Sequence, residues 1–176
     1  MDNISIKNKF LLYLLFIISL SIFYLYYKHD VGTDTSISEW LINYQGGFTR
    51  RGLGGEVNIF FANIFSIPLR DSIFFIQVLN SSIYIILLYN YVKDLKFNII
   101  QIFAIFSPLF LIYPLAELEA LGRKEVLIFL FFISTLFFSE KKFRPAVLNL
   151  IVFIFFPILC LIWEQIILFA PFFAVI

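Results

Sequence analysis

Residues 10–27 read FLLYLLFIISLSIFYLYY, 18 residues without a charge, with Lys7 and Lys9 before them and Lys28, His29 and Asp30 after. As an α-helix this run is about 27 Å long at 1.5 Å per residue, close to the ~30 Å of hydrocarbon in a bilayer. A secretory signal would have a shorter apolar core and a cleavage site of small residues. Neither is present, so the segment reads as an uncleaved signal anchor. Working outward from it, further spans are expected at about 73–92, 98–116, 120–138 and 145–163. Residues 166–176 are apolar to the last position and read as the start of a sixth span. The chain is therefore expected to be all-α, a polytopic helical membrane bundle of about five to six transmembrane helices. Residues 1–176 form one transmembrane domain, read as the N-terminal part of a longer protein.

Composition agrees with that solvent. Hydrophobic residues make up 61% of the chain, 25 of its 176 residues are Phe, and mean hydropathy is +0.95; soluble domains are about 45–50% apolar. The alternating ten-residue segments of a membrane β-barrel are absent. One Cys, Cys160, precludes an internal disulfide framework, and with one His it leaves no His/Cys metal site. No cofactor is expected.

With the N-terminus cytoplasmic, six of eight lysines fall inside, four of five arginines fall outside, and nine of twelve carboxylates share the outer side. The raw basic count hardly separates the two sides, but the split by residue type favours this orientation. It requires that 57–69 does not cross, since thirteen helical residues reach only about 20 Å. That segment gathers Glu56, Asn63 and Ser66 on one side and Val57, Phe60, Phe61 and Ile64 on the other, as in a helix lying in an interface. The outer loop 28–72 is thus expected to carry short interfacial helices. One starts at the capping-box sequence Ser36-Ile37-Ser38-Glu39, runs through Trp40 and Tyr44, and ends at Gly46 and Gly47.

Within that loop, Gly46 to Glu56 holds five of the seven glycines and the pair Arg50 and Arg51. A second helix is expected to begin just after Gly54 and Gly55, so its free amides would face Arg50 and Arg51. Helix N-termini attract anions, glycine lets a ligand approach the backbone, and guanidinium groups grip phosphate oxygens in pairs. Arg50, Arg51, Gly52, Gly54 and Gly55 are the candidate lipid-phosphate-binding residues; the bland alternative is that the arginines only anchor the loop to headgroups. No nucleotide loop is present, because the glycines lack a following Gly-Lys-Ser/Thr and a preceding strand. Nucleic acid is not an expected partner.

The span at 120–138 offers only the thirteen residues from Val126 to Phe138, so to cross it must borrow the preceding turns and draw Arg123 and Lys124 to the outer boundary. Charge in a spanning segment defaults to function, with snorkelling as the alternative. Gln77, Asn80, Ser81 and Tyr84 share one face of the second span, where interhelical hydrogen bonds are the plainer reading. Several outer acids could act as a general base, with Asp34 the first choice and Glu164 the second. Pro108, Pro114 and Pro157 would kink their helices.

One span followed by a large acidic outer loop with short surface helices resembles bacterial O-antigen and exopolysaccharide polymerases and membrane glycosyltransferases that use lipid-phosphate sugars. Val31-Gly32-Thr33-Asp34 is similar to a motif after the first span in one polymerase branch, with Thr35 where an aromatic is expected. Asn43 to Gly52 resembles a recurrent segment of membrane proteins encoded with surface-polysaccharide genes. The resemblance covers about the first 60 residues, and the later outer loops that carry further arginines in such polymerases are missing. It implies glycosyl transfer or polymerisation on a polyprenyl-diphosphate-linked sugar at the bacterial inner membrane, with Asp34 or Glu164 as base. A transporter or flippase of a lipid-linked sugar or other anion, and a non-catalytic assembly subunit, are the alternatives. The sequence fixes no oligomeric state.

Overall fold

A computed structural model describes residues 3–29, 35–93, 100, 122–140 and 144–174. Every regular element among them is helical: α1 (Asn3–His29), α2 (Thr35–Trp40), α3 (Gly52–Phe65), α4 (Leu69–Val92), α5 (Val126–Glu140) and α6 (Pro145–Ile162). A 3₁₀ segment (Glu164–Phe169) and α7 (Ala170–Phe173) follow. Asn8–His29, Leu69–Val92 and Pro145–Ile162 are long and apolar enough to cross a membrane, matching the spans expected at 10–27, 73–92 and 145–163. The span expected at 98–116 lies outside the described residues, Ile100 excepted.

Two contacts show that α1 and α4 run antiparallel. Phe10 stacks on Tyr89 near one end, and at the other His29 Nε2 lies 2.7 Å from Asp71 Oδ1. By contrast α5 runs parallel to α4, since Gln77 meets Gly122 and Tyr84 meets Phe129 seven residues further along each chain. The chain therefore leaves α4 at one end of the bundle and re-enters α5 at the other. Leu14, Tyr84, Ile85, Leu88, Val92, Val126 and Ile133 form the core that these three helices share.

Helix α6 starts on Pro145, whose missing N–H costs nothing in a first turn, and returns beside α5. The chain then reverses at Trp163. Phe169 reaches Phe129, and Phe173 lies among Phe131, Phe132 and Phe156, so the last described segment runs back down along α5. Residues expected to begin a further span do enter the bundle, as a 3₁₀ turn and a short helix rather than one continuous helix.

Three expectations shift. Helix α2 starts at Thr35 and ends at Trp40, short of Tyr44, because Asn43 competes for the backbone: its Nδ2 donates to the Leu41 carbonyl, and its Oδ1 accepts from the Gln45 amide. Helix α3 begins at Gly52, not after Gly55, so Gly54 and Gly55 are packed helical residues rather than open loop. Its start follows Arg51 in the left-handed conformation (φ 68°), and its end is Ser66 (φ 52°), just before Pro68. Thirdly, the residues ahead of α5 do not extend it as helix. Gly122 to Glu125 form a tight turn packed into the bundle, leaving α5 fifteen residues long.

A Cβ on Gly55 would run into the Ile42 carbonyl, whereas one on Gly46 would meet nothing within 4 Å. Gly55→Ala is therefore expected to cost about 1–3 kcal/mol through overpacking. Gly46→Ala should leave thermal unfolding in detergent unchanged; equal melting temperatures for the two variants would contradict this packing.

Candidate functional site

The Gly122–Glu125 turn lies beside the start of α3 and joins it through Lys124. Non-helical backbone inside an apolar bundle must find partners within the protein. The Gly122 carbonyl has two: Trp40 Nε1 donates at 2.8 Å and Gln77 Nε2 at 2.7 Å. Trp40 is held in turn against Ile37 and Ile73, so α2 is fixed to α4 through the same contact. Gln77 was legible in the sequence as part of a polar helical face; its partner was not.

Lys124 is fully buried. Its ammonium donates to the Arg51 carbonyl at 3.1 Å and lies 5.7 Å from the centre of the Trp40 ring. Gly54 faces the same amine, and a Cβ there would stand 3.4 Å from Nζ and 3.2 Å from Ile162. The glycine thus admits the lysine head and the end of α6 rather than leaving open space. Glu39 and Arg51 are the charged groups near the Lys124 ammonium.

Arg51 closes the other side. Its Nη2 is 2.7 Å from Glu164 Oε1, and its guanidinium carbon is 4.2 Å from the centre of the Trp163 ring. Arg50 reaches Glu164 Oε2 only at 3.6 Å, and its side chain is 84% exposed. Both tryptophans of the chain therefore lie under a cation, Trp40 under Lys124 and Trp163 under Arg51. The sequence signal for this was the pair of dipeptides Glu39-Trp40 and Trp163-Glu164, each an acid beside a tryptophan.

Two acids complete the cluster. Glu39 Oε2 and Glu125 Oε2 are buried without a hydrogen-bond partner. Burial raises the Glu39 pKa, and Glu125 raises it further, while Lys124, Arg123 and Arg51 pull it back. Glu164 behaves oppositely: its hydrogen bond from Arg51 holds its pKa below the ordinary 4.5. As it stands, Glu164 is a weakened base and Glu39 a strengthened one.

The structure thus brings together Arg50, Arg51, Gly52, Gly54, Gly55, Lys124 and Glu164, and places Arg123 close enough to act on Glu39. Gly52 packs against the Tyr44 ring. Asp34 lies outside the described residues. Arg51 and Glu164, chosen separately as an anion ligand and a base, are partners of each other. The arginines thus hold one of the protein's own carboxylates, with Arg50 exposed at the edge of the cluster. Among the described residues no group of three or more His, Cys, Asp or Glu could hold a metal. No family model, curated protein or solved structure matches the chain.

The lowered Glu164 pKa sets a sign. Stability from the Arg51 pair is complete above the unfolded value of 4.5 and is lost as pH falls through the folded one. The gap in melting temperature between the native protein and Glu164→Gln should therefore be widest at neutral pH and close below pH 4.5. A gap independent of pH would contradict the pairing.

Proposed function

We propose that the protein acts on a lipid-linked sugar phosphate at one face of a bacterial inner membrane, by glycosyl transfer or polymerisation on a polyprenyl-diphosphate carrier. In this reading the N-terminus is cytoplasmic, the α2–α3 end of the bundle is outer, and the chain crosses five to six times. The observation that carries it is the convergence of the Arg50–Arg51 pair, Lys124 and Glu164 from three separate segments on one apolar bundle end, with both arginines reaching the Glu164 carboxylate and Lys124 holding the Arg51 carbonyl. The parallel run of α4 and α5 also supports a crossing between them.

Arg50 and Arg51 would take the diphosphate, with Lys124 fixing the Arg51 backbone and Arg123 adding charge. A phosphate that engages Arg51 displaces Glu164. Without its hydrogen bond from Arg51 that carboxylate regains ordinary basicity and can take a proton from an acceptor hydroxyl, as Asp34 could from the adjoining segment. Binding and base strength are coupled by this exchange. A transporter or flippase of a lipid-linked sugar would use the same phosphate contacts without bond chemistry; a purely structural subunit would need none of them.

The double variant Arg50→Gln/Arg51→Gln, at native protein level, should abolish or strongly shorten polymer made from a polyprenyl-diphosphate-linked sugar in reconstituted membranes. Polymer of unchanged length and amount would remove the diphosphate role. If lipid-linked sugar crosses the bilayer without lengthening, the flippase reading replaces the polymerase.

A further inference from the structure

The α2–α3 segment is not shaped like a loop resting on the bundle. Its register against α4 is fixed at two points: Trp40, at the end of α2, shares the Gly122 carbonyl with Gln77, and Ser72 Oγ donates to the Asn58 carbonyl of α3. The end of α1 meets α4 at Asp71, and Gly54 lies against Lys124 and Ile162. From Asp71 to Gln77 is six residues, about 9 Å along the helix axis. Residues 35–65 therefore run down beside α4, turn at 41–51, and climb back to the Ser66–Pro68 corner.

The polarity of α3 is inverted. Gly54, Gly55, Asn58 and Ala62 face the protein, while Val57, Phe60, Phe61, Ile64 and Phe65 are exposed. A helix beside water buries its aromatic residues; this one exposes Phe60, Phe61 and Phe65 and buries Asn58, with Asn63 the amide left on the exposed side. The buried side of α3 packs through Gly54 against Ile162 of α6, and α6 in turn leaves Ile158 and Leu161 exposed. Helix α6 is apolar and long enough to cross a membrane.

We infer that α2 and α3 form a re-entrant hairpin whose α3 face lies against lipid acyl chains, so that Arg50 and the site behind it take a phosphate borne by a membrane lipid entering from the side rather than from water. An arginine exposed at the tip of such a hairpin is costly in hydrocarbon unless a counter-charge comes with it. Glu164 supplies part of that charge and a lipid phosphate supplies the rest. The short neighbouring helices suit this, since α5 at about 22 Å and α6 at about 27 Å fall below the ~30 Å core and draw headgroups inward around them. Acyl-chain contact does not depend on the proposed function; only the choice of a phosphate head rests on it.

Nitroxide labels at Phe60→Cys and Ile64→Cys, in a Cys160→Ser background in lipid nanodiscs, test the hairpin directly. Their relaxation should be enhanced by oxygen over an aqueous nickel chelate to the same degree as at Phe153→Cys on α6. Preferential nickel access at both positions would overturn the insertion whatever the polymer assay gives. For the phosphate, Arg50 is modified with phenylglyoxal and followed by mass spectrometry. Polyprenyl phosphate in the nanodisc should slow modification at least tenfold while inorganic pyrophosphate in solution does not. Equal protection by both, or by neither, would overturn lateral entry while leaving the α3 labelling result to stand or fall on its own.

Discussion

One carbonyl oxygen, that of Gly122, ties the bundle end together. It belongs to a backbone turn packed into apolar helices, and a carbonyl left without a donor there costs about 1–3 kcal/mol. Trp40 and Gln77 both answer it, one from the short α2 and one from the long α4. That double acceptance sets the depth of α2, and with it the depth of the loop that carries the arginines. The turn also delivers Lys124, whose buried head fixes the Arg51 carbonyl. The geometry of Arg51 against Trp163 and Glu164 follows from a turn seventy residues away in sequence.

Charges are gathered here at a density that an apolar bundle otherwise avoids. Two of the cations have a local reason to stay: Lys124 has a carbonyl and an aromatic face, Arg51 a carboxylate and another aromatic face. Arg50 differs from them, exposed and only loosely within reach of Glu164. That difference separates structure from availability. Arg51 and Lys124 hold the α3 start in place, and Arg50 is the group that the proposed ligand would meet first. On the proposed reading a ligand anion would gain Arg51 by taking over from Glu164, exchanging one anion for another without burying a new charge.

Much of this was legible in the sequence where hydrophobicity is continuous. The run 10–27 and the spans at 73–92 and 145–163 coincide with long helices because length and apolarity alone fix them. In the sequence Gly54 and Gly55 read as room for a ligand to approach the backbone, yet they serve close packing; composition cannot tell a glycine beside a ligand from one beside the Lys124 amine or the Ile42 carbonyl. Asn43 ended α2 early through side-chain bonds that no periodicity shows. Glu164 and Arg51 were both singled out, but their union spans 113 positions and rests on the reversal of the chain at Trp163. Pairings at that separation are made by packing, and packing is absent from a linear pattern.

The most direct test of the account is a thermal-stability cycle on the two donors to Gly122, using Trp40→Phe, Gln77→Met and the double variant in detergent. Each single change leaves the carbonyl one partner and should cost about 0.5–1.5 kcal/mol, whereas the double change orphans a buried acceptor and should cost more than the sum. Costs that simply add, or a Trp40→Phe variant as stable as the native protein, would contradict the claim that this turn anchors the bundle end.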